Sequence, residues 1–201
     1  MDTINKLTEY FTRFPGIGPR QAKRFVYFLL RQPSPYHKNL ATIIAKLGKE
    51  INVCNRCMRY FTPVGVSNSC VICGDKKRVQ TSLMVLGNDV DLDNVERGKI
   101  YDGLYFVLGG IVPILEKNPE TKIRINELIT RIKSDGLKEI ILAMSATTDG
   151  ENTEKYVCDK INELAKTKKI TISHLGRGLS TGSELEYSDS ETIKNALNSR
   201  K

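Results

Sequence analysis

Four of the chain's five cysteines fall within 20 residues, as Cys54-x2-Cys57 and Cys70-x2-Cys73 with twelve residues between the pairs. Residues 54–78 have few periodic apolar positions, so a hydrophobic core does not hold them and a cross-link of another kind must. Two such turns can present four thiolates tetrahedrally, the arrangement Zn2+ prefers. Four protein ligands leave no open coordination position, so the ion would be structural and would supply folding energy to this stretch. Disulfides and an iron–sulfur cluster are the other readings of paired cysteines, and a reducing cytoplasm argues against the first. Cytoplasm is the expected compartment. No apolar run approaches the ~18 residues that span a bilayer, so a membrane protein is not expected, and Met1-Asp2-Thr3-Ile4-Asn5-Lys6 lacks a secretory pattern. Cys158 stands apart on an expected helix and reads as a buried free thiol.

Upstream of the cysteines the apolar spacing is helical. Ile4, Leu7, Phe11 and Phe14 mark one helix. Pro15-Gly16-Ile17-Gly18-Pro19 stops it and starts a second with Ala22, Phe25, Val26, Leu29 and Leu30 on its buried face. Leu40, Ile43, Ile44, Leu47 and Ile51 mark a third, with His37 in the loop before it. From residue 81 the pattern becomes short apolar strands (Ser82–Leu86, Leu104–Leu108, Glu139–Ala143, Ile170–His174) alternating with helices (Asn126–Lys133, Asn152–Ala165). That alternation predicts an α/β domain with a mostly parallel sheet. A last helix is expected near Glu191–Leu197. The fold class is therefore an α+β chain of several parts: 1–53 a helical hairpin region, 54–78 a four-cysteine zinc knuckle, 79–175 the α/β domain and 176–201 a tail.

The turn between the first two helices has the chemistry of a phosphate grip. Gly16 and Gly18 allow backbone angles closed to other residues and let a phosphate approach the main chain. Pro19 suits a first helical position, and the exposed amides there form an anion site to which Arg20, Lys23 and Arg24 add charge. Such contacts hold a nucleic-acid backbone without reading sequence; an ordinary Gly-rich helical connection is the structural alternative. Net charge points the same way. Residues 1–80 carry 14 Lys/Arg and 4 Asp/Glu, a net of +10, whereas residues 81–201 carry 17 and 19, a net of −2. The basic half should face a polyanion through counterion release, if the charge is not there for solubility alone.

In this order, the hairpin Phe14-Pro15-Gly16-Ile17-Gly18-Pro19 and the four cysteines are followed by Tyr105-Phe106-Val107-Leu108-Gly109-Gly110, Ile123-Arg124-Ile125-Asn126-Glu127-Leu128 and Gly150-Glu151-Asn152-Thr153. The series ends on Gly178-Leu179-Ser180-Thr181-Gly182-Ser183-Glu184-Leu185-Glu186-Tyr187. Together they resemble the bacterial RecR family across nearly the whole chain. The resemblance implies a helix-hairpin-helix, a zinc element, a Toprim domain and a C-terminal tail. It implies a DNA-binding mediator of recombinational repair that forms a ring-like tetramer and acts with RecO and RecF, and that is not an enzyme. By motif position Arg20 and Arg24 match the basic residues that the family turns toward DNA; Lys23 is added by proximity. The tail from Gly178 to Arg200 is the expected intersubunit element, with Glu184 and Glu186 as acidic contacts.

Toprim enzymes hold Mg2+ with a glutamate after the first strand and an Asp-x-Asp pair after a later one. Here Gly87 follows Leu83-Met84-Val85-Leu86, where RecR proteins themselves usually carry glutamate, and Met144-Ser145-Ala146 follows Ala143. A Mg-dependent nuclease or topoisomerase-like enzyme using Glu96 or Glu151 is the rival reading, and an RNA-binding zinc module a third. Three further signals are weak. Asp89-x-Asp91-x-Asp93 opens like a calcium loop, but Asn94 replaces the required glycine and Ile100 the closing glutamate. Gly176-Arg177-Gly178 resembles a dinucleotide turn, yet Thr181 takes the third glycine position. His174 has no triad partners in sequence and reads as structural.

Overall fold

Phe14-Pro15-Gly16-Ile17 closes on itself: the Ile17 amide donates to the Phe14 carbonyl over 3.0 Å, and Gly16 adopts φ +74°. Proline at the second position and a positive φ at the third are the requirements of a type II turn. This turn joins α1 (Thr3–Thr12), capped by the Asp2 side chain, to α2 (Pro19–Leu30), which Gly18 and Pro19 begin. The computed structural model describes residues 2–65, 67–176, 178–179, 182 and 184–198, without the side chains of Glu191 and Asn198. Arg177 of the glycine turn and Ser180, Thr181 and Ser183 of the tail motif therefore lie outside the described residues.

The chain divides into two units, Met1–Ile51 and Asn52–Lys201. In the first, α1 and α2 pack around Ala22 and Val26, with Phe11 edge-on to Phe14 and Phe25. α3 (Ser34–Glu50) follows. His37 belongs to its first turns rather than to a preceding loop, because the Pro33-Ser34-Pro35 start lets the helix begin three residues earlier. His37 Nε2 lies 2.7 Å from the Leu29 carbonyl. The apolar stripe that marks α3 in the sequence is open: Ile43, Ile44 and Leu47 are 61%, 58% and 56% exposed. Leu30 is exposed as well, since Ala22, Val26, Phe25 and Leu29 already fill the face of α2 turned to α1.

The second unit starts with a two-stranded antiparallel ribbon, β1 (Asn52–Val53) and β2 (Tyr60–Phe61), and the short α4 (Val71–Gly74). Then come β3 (Val79–Leu86), α5 (Asp89–Gly98), β4 (Gly103–Val107), α6 (Ile125–Ser134), β5 (Glu139–Ala143), α7 (Thr148–Lys168), β6 (Thr171–His174) and α8 (Ser190–Asn198). The sheet order is β4-β3-β5-β6, and every neighbouring pair is parallel. Period-2 alternation divides the strand residues between two faces. Leu83, Val85, Leu104, Phe106, Ile140 and Leu142 pack with Leu128 and Ile132 of α6 and Val157 and Ile161 of α7. Met84, Leu86, Tyr105, Val107 and Ala143 pack with Leu92 of α5 and with the four cysteines. The knuckle thus takes the place of a covering helix on one face. Among the described residues no helix is long and apolar enough to cross a membrane.

Candidate metal centre and nucleic-acid interface

Cys54, Cys57, Cys70 and Cys73 are all buried, and their sulfurs lie within 4.8 Å of one another. Local backbone bonds set this geometry. The Met58 amide returns to the Cys54 carbonyl over 2.9 Å, and the Gly74 amide to the Cys70 carbonyl over 3.0 Å. Met58 closes the first turn with φ +60°. The Cys70 amide donates to Cys54 Sγ at 3.3 Å. Hydrogen bonds from Cys57, Cys70 and Cys73 hold Cys54 far below the ordinary thiol range, while hydrogen bonding with Cys54, Cys70 and Cys73, together with burial, pushes Cys57 far above it. A cation between the four sulfurs would let all of them ionise together. The donor set fits a soft or borderline metal ion, with neither carboxylate nor imidazole in the group. Cys158 is half-buried beside the sheet core, and burial raises its pKa.

Arginines tie the knuckle to the sheet. The Val107 amide, at the end of β4, donates to the Cys57 carbonyl over 2.8 Å. Arg124 donates to the Met58 carbonyl at 2.6 Å, and its guanidinium lies 5.8 Å from the Tyr60 ring centroid. Arg131, buried on α6, donates to the carbonyls of Arg56 and Tyr105 and pairs with Asp135 at 3.0 Å. Asp135 also receives Arg56 at 3.1 Å. The aspartates of the calcium-like stretch sit on α5, not in a loop: Asp89 accepts from the Tyr60 amide, and Asp93 pairs with Arg59 at 3.3 Å. Arg56, Arg124, Arg131 and Asp135 were not among the expected site residues. Only Arg124 had a sequence signal, its place in Ile123–Leu128.

At the hairpin, Arg20, Lys23 and Arg24 are exposed on the first turns of α2. Among the described residues none of the three pairs with a carboxylate; Arg24 reaches Gln21 at 3.3 Å. A Cβ placed on Gly16 or Gly18 would meet nothing within 4 Å, so the space beside both glycines is open to an outside group. The amides opening α2 are those a helix leaves without partners.

At the carboxyl end of β3 Gly87 brings no side chain, and Glu96, at the opposite end of the strands, is committed to an ion pair with Arg78, which also donates to the Gly103 carbonyl. Glu151 lies on the first turn of α7, beside a cleft of about 790 Å3 that Glu154 and Asp189 also line. His174 Nδ1 is 2.8 Å from Glu154. The motif Gly150–Thr153 is used internally. Thr153 Oγ1 accepts from the Val112 amide at 2.8 Å, Asn152 donates to the Val112 carbonyl at 3.0 Å, and a Cβ on Gly150 would collide with the Ser145 carbonyl.

A helical hairpin followed by a cysteine-knuckled, four-stranded parallel domain defines a helix-hairpin-helix protein of the Toprim class. The "RecR, helix-hairpin-helix" family matches residues 4–47, the Toprim domain family residues 81–176 and the "RecR, C-terminal" family residues 178–201. The chain is 36% identical over 198 residues to the recombination protein RecR of Jannaschia sp., covering 98% of this chain and 96% of that one. With the protein of the same name from Chloroflexus aggregans it is 35% identical over 198 residues, covering 98% and 93%. With that from Herpetosiphon aurantiacus the identity is 35% over 201 residues, covering 100% and 94%. The chain belongs to the RecR family, and recombination repair is its field of action.

Proposed function

We propose that this chain is a non-enzymatic, cytoplasmic recombination mediator that clamps DNA as a ring-like tetramer and acts with RecO and RecF. The observation that carries the reading is the hairpin: two glycines with open space beside them, and three exposed cations that no carboxylate of the described residues neutralises. In this reading Gly16 and Gly18 let a phosphate reach the backbone while Arg20, Lys23 and Arg24 supply its counter-charge. Residues 1–53 act as the DNA-binding region, 54–78 as the zinc element, 79–175 as the Toprim domain and 176–201 as an intersubunit tail. Cys54, Cys57, Cys70 and Cys73 hold one structural Zn2+, whose chemistry is to neutralise four thiolates and close the knuckle. A metal assay after denaturation is expected to give one zinc per chain; iron would refute that assignment. The open stripe on α3 supports assembly, since a monomer leaving it in water forgoes its burial.

The test is fluorescence anisotropy of labelled gapped duplex over a salt series, comparing the metal-loaded chain with an Arg20→Glu, Arg24→Glu variant. Wild-type affinity is expected to fall with salt and the variant to lose most binding. Equal binding by both would remove the hairpin from the interface. The acidic lining of the 790 Å3 cleft favours a second reading, an Mg-dependent nuclease or topoisomerase-like activity. It requires Mg2+-dependent nicking or relaxation of plasmid that Glu151→Gln abolishes.

A further inference from the structure

β4 is an edge strand of the four-stranded sheet, paired with β3 alone. The Asp102 carbonyl accepts from the Val79 amide and the Leu108 amide donates to the Leu86 carbonyl, each over 2.9 Å. Strand alternation then turns the backbone groups of Gly103, Tyr105 and Val107 outward, and an edge of this kind is a template for another strand. Here it is occupied by side chains. Arg78 donates to the Gly103 carbonyl at 2.9 Å, Arg131 to the Tyr105 carbonyl at 3.2 Å and Arg124 to the Val107 carbonyl at 3.5 Å. The same Arg131 and Arg124 hold the Arg56 and Met58 carbonyls, and the Val107 amide holds the Cys57 carbonyl between them. Three successive carbonyls of the first cysteine turn are thus fastened along the strand.

Resting on the reading of the four cysteines as a metal centre, we infer that the outer edge of β4 is a concealed self-association surface, shut by the metal-loaded knuckle and opened to the β4 of a second copy when the metal leaves. Release of the turn takes the partner of the Val107 amide and one anchor from each of Arg124 and Arg131. Arg78 is held by Glu96 instead, so the newly open stretch runs from Tyr105 to Val107. The strand itself selects the occupant. A two-fold axis through Tyr105 sets this residue against its own counterpart and Val107 against Gly103, and in an antiparallel pair those are the positions that exchange both backbone bonds. Gly103-Leu104-Tyr105-Phe106-Val107 carries no charge, so no like charges meet across the axis, and its aromatic and branched residues suit a strand.

The experiment compares the full-length, metal-loaded chain with the same chain stripped by a chelator under reducing conditions, over a concentration series. Light scattering is expected to show the stripped chain reaching about twice the mass of the loaded one as concentration rises, and restored metal should reverse the change. Hydrogen exchange locates the contact. The Val107 amide should lose protection in the dilute stripped chain and regain it as the mass rises, while β5 stays protected throughout. An unchanged mass with cysteines that have become reactive overturns the inference. So does a Val107 amide that never loses protection, or association that leaves it exchanging. Association accompanied by loss of protection in β5 overturns it too, because that is unfolding and not edge pairing. Failure of the metal reading looks different: the purified chain carries no metal, or stripping leaves the cysteines as unreactive as before. In that case Arg124→Met, Arg131→Met decides without any metal, since opening the edge directly should raise the mass with concentration and a wild-type mass would overturn the surface. Should this variant fail to fold, Arg124→Met, which leaves the buried Arg131 in place, is read in the same way.

Discussion

Thr153 shows how one hydroxyl can fix a loop. Its Oγ1 is buried, accepts from the Val112 amide and donates to the Asp149 carbonyl at 2.6 Å, joining the segment after β4 to the start of α7. Thr153→Val keeps the shape but leaves that amide unpaired, so urea denaturation should show a loss of about 1–3 kcal/mol, while Thr153→Ser should stay close to wild type. Equal stability of all three would remove the hydroxyl from the account. Arg131 serves two carbonyls and Asp135 from a buried position. Arg131→Met should cost about 3 kcal/mol, less than a fully isolated charge would, because Arg56 still faces Asp135. A cost within experimental error would mean that the knuckle does not depend on this side chain. Burial also pushes the phenols of Tyr101 and Tyr105 above their ordinary value of 10.0. Both should stay protonated where the unfolded chain has released those protons, so stability falls as pH rises through about 10. Ultraviolet titration with matched unfolding curves checks this; all eight tyrosines titrating together in the folded chain would contradict it.

Among the elements, the knuckle is the one whose stability, on the proposed reading, comes from outside the chain, from an ion held by its four cysteines. Removing its metal with a chelator should abolish hydrogen-exchange protection around residues 52–75. Loss should spread to the Val107 amide, which bonds Cys57, and to the start of α6, because these are the sheet's ties to the knuckle. β5, on the far side of β3 from β4, should keep its protection. Unchanged protection at Val107 would show that knuckle and sheet fold independently. What could be read in advance follows the range of the interactions. The cysteine pairs, the Pro-Gly turn and the apolar strands around Leu83, Tyr105 and Ile141 are local patterns, and the sequence shows them directly. α5 was hidden because its i, i+2, i+4 aspartates mimic a loop and only Leu92 on it is buried. The arginine ties were illegible for another reason: Arg124 meets Met58 across 66 positions, and Arg131 meets Arg56 across 75. Only the closed fold brings such groups together.

For the whole molecule, assembly and DNA binding should stand or fall together. On the proposed reading each hairpin offers a few exposed phosphate contacts, individually weak in salt, and a clamp would gain by presenting several at once. α3 would supply a reason to assemble: it is a 17-residue helix with Ile43, Ile44 and Leu47 open to water and no buried residue of its own. An Ile43→Asp, Leu47→Asp variant should therefore show a lower mass by size-exclusion chromatography with light scattering. Its DNA affinity should fall at least tenfold with a shallower salt dependence, although α2 and every residue of the phosphate grip are unchanged. Truncation after Leu175 tests the tail's contribution to assembly in the same way, and an unchanged mass would free 176–201 from an intersubunit role. The decisive case is an α3 variant that is smaller yet binds DNA with the wild-type affinity and salt slope. Binding would then belong to single hairpins, and a ring would not be needed to explain how this basic half holds its polyanion.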